Sequence, residues 1–109
     1  MGLFDFLRQP DINRGIREFH SVPGAVLLDV RTAEEYAQAH IPNAVLVPNE
    51  TIGTGDIPQL PHKQQLILVY CRSGNRSKQA SEKLAKLGYT NVVEFGGIND
   101  WTGDTVSGN

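Results

Sequence analysis

The chain has 109 residues, is 39% hydrophobic and 20% charged, and carries a formal charge of -2, the proportions of an ordinary globular domain with one core and one site. Such a balance offers no basic field for a nucleic-acid backbone. No stretch reaches the ~18 apolar residues that span a bilayer, and the apolar start is interrupted by Asp5 and closed by Arg8, so it lacks the features of a signal peptide.

The N-terminal segment reads as an amphipathic stretch of undefined role. Asp11 then caps a short helix with apolar positions Ile12, Ile16 and Phe19, ended by Pro23-Gly24. Ala25 to Val30 is a short continuous apolar run, suited to a strand buried on both faces of a parallel sheet. Thr32-Ala33-Glu34-Glu35 is a capping box, and the helix it opens is expected to end near His40, because Ile41 precedes Pro42. Ala44 to Val47 is a second short strand, and the Gly-, Pro- and polar-rich segment from Pro48 to Lys63 reads as a loop.

Leu66 to Tyr70 is the strongest strand signal, apolar, β-branched and aromatic, and it stops at Cys71. A Gly74-containing turn follows, and a helix is expected by about Ser77, with Ala80, Leu84 and Leu87 on its apolar face and Gly88 just past its end. Val92 to Phe95 is a last strand before Gly96-Gly97, and the polar tail from Thr102 to Asn109 is expected to fray. Strands alternating with helices predict an α/β fold with a central parallel sheet and helices on both faces. No linker or repeat divides the chain, so residues 1–109 are expected to form a single domain.

Cys71 is the only cysteine. It cannot form an internal disulfide, which agrees with a reducing, cytoplasmic setting. A lone cysteine is ordinarily a small buried apolar residue. Its position argues otherwise, because ligands of open α/β sheets bind at the carboxyl ends of strands. Backbone N–H groups of the turn, the helix N-terminus, and Arg72 and Arg76 would each favour the thiolate, which is the nucleophile. These features predict an anion-handling nucleophilic cysteine without naming the anion.

The run Cys71-Arg72-Ser73-Gly74-Asn75-Arg76-Ser77 resembles the active-site loop of the rhodanese family. Leu28-Asp29-Val30-Arg31, Glu34-Glu35-Tyr36 and His40-Ile41-Pro42-Asn43-Ala44 resemble the family's first signature, and Phe95-Gly96-Gly97-Ile98 with Trp101 its closing one, so the likeness runs over residues 25–101. Ala39 and Asn43 stand where the family usually has glycine; asparagine tolerates positive φ. The resemblance implies a rhodanese-like fold and a sulfurtransferase carrying sulfur as a persulfide on Cys71, from thiosulfate or another sulfane-sulfur donor to cyanide, an acceptor thiol or a partner protein. Residues Arg72, Ser73, Gly74, Asn75, Arg76 and Ser77 would bind the donor. Arg76 is the better of the two arginines, since a guanidinium grips a sulfonate-like group bidentately.

Asp29 and Arg31 at the end of a buried strand read as a supporting pair, Asp29 holding the loop or an arginine in place. His40 belongs by resemblance to a structural turn. Trp101, Phe95 and Ile98 read as a core corner, Tyr70 as structural, Lys83 as a solvated charge, and Lys78 as the lysine nearest the donor. No cluster has metal-ligand spacing, and no organic cofactor is implied. Two alternatives stay open. A sulfur-relay module would have little activity on thiosulfate, and a cysteine phosphatase or arsenate reductase would place five residues between cysteine and arginine, where this chain has four.

Overall fold

The structure, a computed structural model, describes residues 11–53 and 55–108; the reading of the N-terminal segment, residues 1–10, lies outside them. Chain order is α1 (Ile12–Ser21), β1 (Val26–Asp29), α2 (Ala33–Gln38), β2 (Val45–Leu46), β3 (Ile67–Cys71), α3 (Asn75–Lys86) and β4 (Val92–Gly97), with single helical turns at Asn49–Thr51 and Ile98–Asp100. The four strands are parallel in the order β2-β1-β3-β4. This is the α/β architecture expected from the alternation.

Local chemistry places most boundaries. The Asp11 carboxylate accepts from the N–H groups of Asn13 and Arg14 and starts α1. Thr32 and Glu35 form the reciprocal capping box that starts α2. Ala39, just past α2, is extended at φ -168 and needs no glycine, whereas Asn43 takes φ 75. β2 is shorter than its apolar run, because only Val45 and Leu46 register against Leu28 and Asp29 of β1.

Side chains alternate across the sheet and build two cores. Leu28, Val30, Ile67, Val69 and Cys71 face α3, where Ala80 and Leu84 meet them. Leu27, Leu68 and Tyr70 face α1, where Ile12, Ile16 and Phe95 close over them. Helices therefore cover both faces. Phe95 gathers Ile98 and Trp101 into the expected corner, and Tyr70 is structural: fully buried, its hydroxyl accepts from the Ile41 N–H at 3.1 Å.

Several expectations need correction. The helix after the cysteine begins at Asn75, within the expected bound of Ser77, but its apolar ridge stops at Leu84, since Leu87 is 37% exposed. The segment 48–63 is not merely a polar loop: Ile52, Ile57 and Leu60 are buried in the α3-side core. Lys83 is not free in solvent, because its Nζ donates to the Asn49 carbonyl at 2.9 Å and ties that segment to α3. The described part of the tail, through Gly108, is bonded to the rest of the domain. Val106 pairs with His40 through two backbone bonds of 2.8 and 2.9 Å, and the Gly108 N–H reaches the Ala37 carbonyl at 2.7 Å.

Helix α1 depends on one close approach. A Cβ on Gly15 would lie 2.5 Å from ring atoms of the buried Phe95. Gly15→Ala adds helix propensity of up to about 1 kcal/mol, but overpacking costs about 1–3 kcal/mol, so the sum is expected to be destabilising. Urea unfolding should show a lower midpoint for the variant; an unchanged or higher midpoint would mean that α1 moves freely against β4.

Candidate active site

Strand β3 ends at Cys71, and the chain turns at once into α3. Gly74, the residue before that helix, sits at φ 113, in the left-handed region that favours glycine. Its N–H donates to Cys71 Sγ at 3.0 Å, and its left-handed conformation turns the chain from there into the helix. The neighbouring β4 must come very close, since Cys71 registers with Gly97 and a Cβ there would lie 1.9 Å from the Arg72 carbonyl oxygen. Glycine at 97 is therefore a condition for the loop's shape.

Cys71 is 1% exposed and lies on the floor of this loop. Its thiol faces the Ser77 hydroxyl at 3.6 Å. Burial pushes the thiol up, but the Ser77 hydroxyl and the backbone N–H groups of Ser77, Gly74 and Ser73 outweigh it, so Cys71 is held below the ordinary thiol value. The direction matches the expectation. The principal agents are the loop's own hydrogen bonds rather than its arginines.

Both arginines are otherwise engaged. Arg76 forks the Glu35 carboxylate, Nη1 to Oε1 at 2.6 Å and Nη2 to Oε2 at 3.0 Å, and Arg72 reaches Oε2 through Nε at 3.2 Å and Nη2 at 3.0 Å. Arg76, expected to offer its fork to a donor, thus spends it on a side chain of α2. Arg72 is the more open, at 60% exposed against 31%. The Arg76 fork holds the Glu35 carboxyl well below the usual carboxylate range despite opposing desolvation, and Thr32 adds to the effect.

Asp29 and Arg31 form a pair of their own. Arg31 Nη2 meets Asp29 Oδ2 at 2.7 Å and also donates to the Ala39 carbonyl at 2.7 Å, so the pair braces the turn after α2. Asp29 therefore holds an arginine, though not one of the loop. His40 stacks on Tyr36 with ring centres 3.7 Å apart and points Nδ1 at the Tyr36 carbonyl at 2.7 Å, a structural arrangement. Asn75 is the first residue of α3 and is exposed. Lys78 borders a cavity of about 240 Å³ beside the loop, shared with Ser73, Gly74, Glu94, Gly96 and Asp100.

Sequence reasoning missed Glu35 and Glu94 as neighbours of the loop. Glu35 was legible as a capping residue, and the unanswered charges of Arg72 and Arg76 were a signal that a carboxylate had to meet them. Among the described residues no group of three or more His, Cys, Asp or Glu side chains could hold a metal ion, and no helix is long and apolar enough to cross a membrane.

Comparison with known proteins agrees with this geometry. Residues 16–104 match the rhodanese-like domain. The chain is 36% identical to thiosulfate sulfurtransferase PspE of Escherichia coli over 74% of this chain and 78% of that one. It is 36% identical to the putative sulfur carrier protein YrkF of Bacillus subtilis over 72% of this chain, spanning 42% of that longer protein. A solved structure described as rhodanese with anions from E. coli superposes with a TM-score of 0.70 at 34% identity, covering 77% of this chain and 99% of that one. The chain belongs to the rhodanese-like family, whose members among these relatives are sulfurtransferases and sulfur carriers.

The ion pair gives a pH test. Glu35 has its folded value below its unfolded one, so its stabilisation is present above the unfolded value of about 4.3 and fades as pH falls below it. Glu35→Gln is expected to cost about 1–2 kcal/mol at pH 7, typical of a half-buried bidentate pair. Thermal or urea unfolding should show the gap from wild type narrowing steadily as pH falls below about 4.3. A gap independent of pH would mean that Glu35 acts only as a cap.

Proposed function

We propose that the protein is a sulfurtransferase that carries sulfur as a persulfide on Cys71. The observation that carries this reading is the sulfur itself, held at 3.0 Å by the Gly74 N–H and lowered in pKa by the loop's own donors. In the first half-reaction the Cys71 thiolate attacks the outer sulfur of thiosulfate or another sulfane donor. An S–S bond forms, the donor's S–S bond breaks, and the remainder of the donor leaves with the electron pair, as sulfite from thiosulfate or as a thiolate from a persulfide. In the second, cyanide or an acceptor thiolate attacks the outer persulfide sulfur and Cys71 leaves as thiolate.

The loop N–H groups of Arg72 to Ser77 steady the charge that develops on sulfur. Arg72, the more exposed of the two although it also pairs with Glu35, is the arginine better placed to meet the donor's sulfonate end, while Arg76 keeps the loop closed on Glu35 and contributes its charge through space. Because Cys71 is 1% exposed, a donor has to present a terminal sulfur end on. A phosphoryl group, whose three equatorial oxygens all need partners, fits such a floor less well. The lone free cysteine suits a reducing, cytoplasmic setting, where it can cycle between thiol and persulfide.

Incubation with thiosulfate, removal of the excess and intact-mass measurement should show one added sulfur atom that cyanide or a thiol reductant removes. Cys71→Ser should take up none, since a hydroxyl is a far weaker nucleophile than a thiolate and its oxygen cannot form a persulfide. Steady hydrolysis of an aryl phosphate without sulfur uptake would sink the proposal. Ready uptake from a persulfidated protein alongside poor thiosulfate turnover would favour the sulfur-relay role that the likeness to YrkF supports.

A further inference from the structure

Glu94 occupies an unusual place. It lies on β4 opposite Val69, on the sheet face that carries Cys71 and packs under α3. Two residues earlier, at the same phase of the strand, Val92 packs apolar against that core. Glu94 turns a carboxylate into the same layer instead, and its Oε2 accepts from the Ser77 hydroxyl at 3.0 Å and from the Gly96 N–H.

Ser77 is fully buried, and its hydroxyl has one proton to give. Four groups surround that hydroxyl: the Gly74 carbonyl at 2.9 Å, Glu94 Oε2 at 3.0 Å, the Gly96 carbonyl at 3.4 Å and Cys71 Sγ at 3.6 Å. With Cys71 as a thiol the arrangement is satisfied, the S–H donating to Ser77 Oγ and the O–H remaining with an oxygen. Ionisation sends the thiol proton to solvent and turns the sulfur from donor to acceptor. The thiolate then needs the Ser77 proton, for which the charge-assisted bond to Glu94 is the strongest competitor.

We infer that Glu94 is a positioning residue that competes with Cys71 for the Ser77 proton and so restrains formation of the bare thiolate. Direct repulsion between carboxylate and thiolate across one hydroxyl acts in the same direction. A persulfide carries its charge on the outer sulfur, one bond farther away, so the restraint weighs more on the empty enzyme than on the loaded one. Other charges near the pair offset it only in part. Asp29 and Arg31 beside β1 neutralise each other, Glu35 of α2 answers one of the two charges of Arg72 and Arg76, so that one positive charge remains on the far side of the loop, and Lys78 of α3 and Asp100 after β4 are exposed and screened by solvent.

The inference rests on Cys71 being the reactive group but not on the donor's identity, so failure of thiosulfate loading leaves its test intact. Iodoacetamide alkylation of the folded protein, measured against pH, reads the ionisation of Cys71. Glu94→Gln keeps the shape and can still accept from Ser77 and Gly96; it is expected to lower the midpoint by about half a pH unit or more. Ser77→Ala is expected to raise it. Glu94→Gln made in the Ser77→Ala background should move the midpoint less than it does in wild type. Glu94→Leu, which continues the Val92 ridge, should shift it in the same direction as Glu94→Gln and guards against an effect peculiar to glutamine. A midpoint unmoved or raised in both Glu94 variants overturns the inference, as does an equal shift with and without Ser77.

Discussion

The backbone N–H of Gly74 donates to Cys71 Sγ at 3.0 Å, and the loop that carries this bond takes its shape from three other features. Gly74 sits at φ 113 and turns the chain into the helix, β4 carries a glycine at 97 where any side chain would strike the Arg72 carbonyl, and α3 begins at Asn75, which brings Ser77 under the sulfur. The sheet supplies the rest. Cys71 is the last residue of a fully buried strand, so its position is set by two cores, while the loop after it is shaped around the sulfur. Rigid strand and specialised turn thus divide the work of placing a nucleophile and stabilising its charge.

Charge in the site is nearly balanced rather than strongly positive. Arg72 and Arg76 converge on Glu35, and Arg31 on Asp29, which leaves one positive charge in excess at the loop's edge beside the backbone dipoles that point at the sulfur. Such dipoles are fixed in direction and short in range, so they favour a charge centred on one atom over one spread across a tetrahedral group.

How much of this the sequence discloses depends on the range of each interaction. The strand ending at Cys71, the Thr32–Glu35 capping box and the Asp11 cap are local, and each was legible from a few neighbouring residues. The loop's role was legible from its position between strand and helix, sharpened by the family likeness. By contrast, Glu35 meets Arg76 across 41 positions and Ser77 meets Glu94 across 17, and no local pattern announces either pairing. The segment 48–63 read as a polar loop because its Gly and Pro content masked Ile52, Ile57 and Leu60, whose burial depends on α3 arriving above them. The tail read as frayed because its anchoring through Val106 is made by backbone atoms, which are blind to side-chain composition.

The central claim, that hydrogen bonds of the loop rather than free positive charge hold the Cys71 thiolate, has a direct test in the salt dependence of its ionisation. Alkylation of the wild-type protein should be followed against pH at low ionic strength and again near 1 M salt, where the Debye length falls to about 3 Å. The account predicts a midpoint below the free-thiol value of about 8.5 that stays nearly constant between the two conditions. A midpoint at or above that value, or one that climbs by a full unit in high salt, would contradict it.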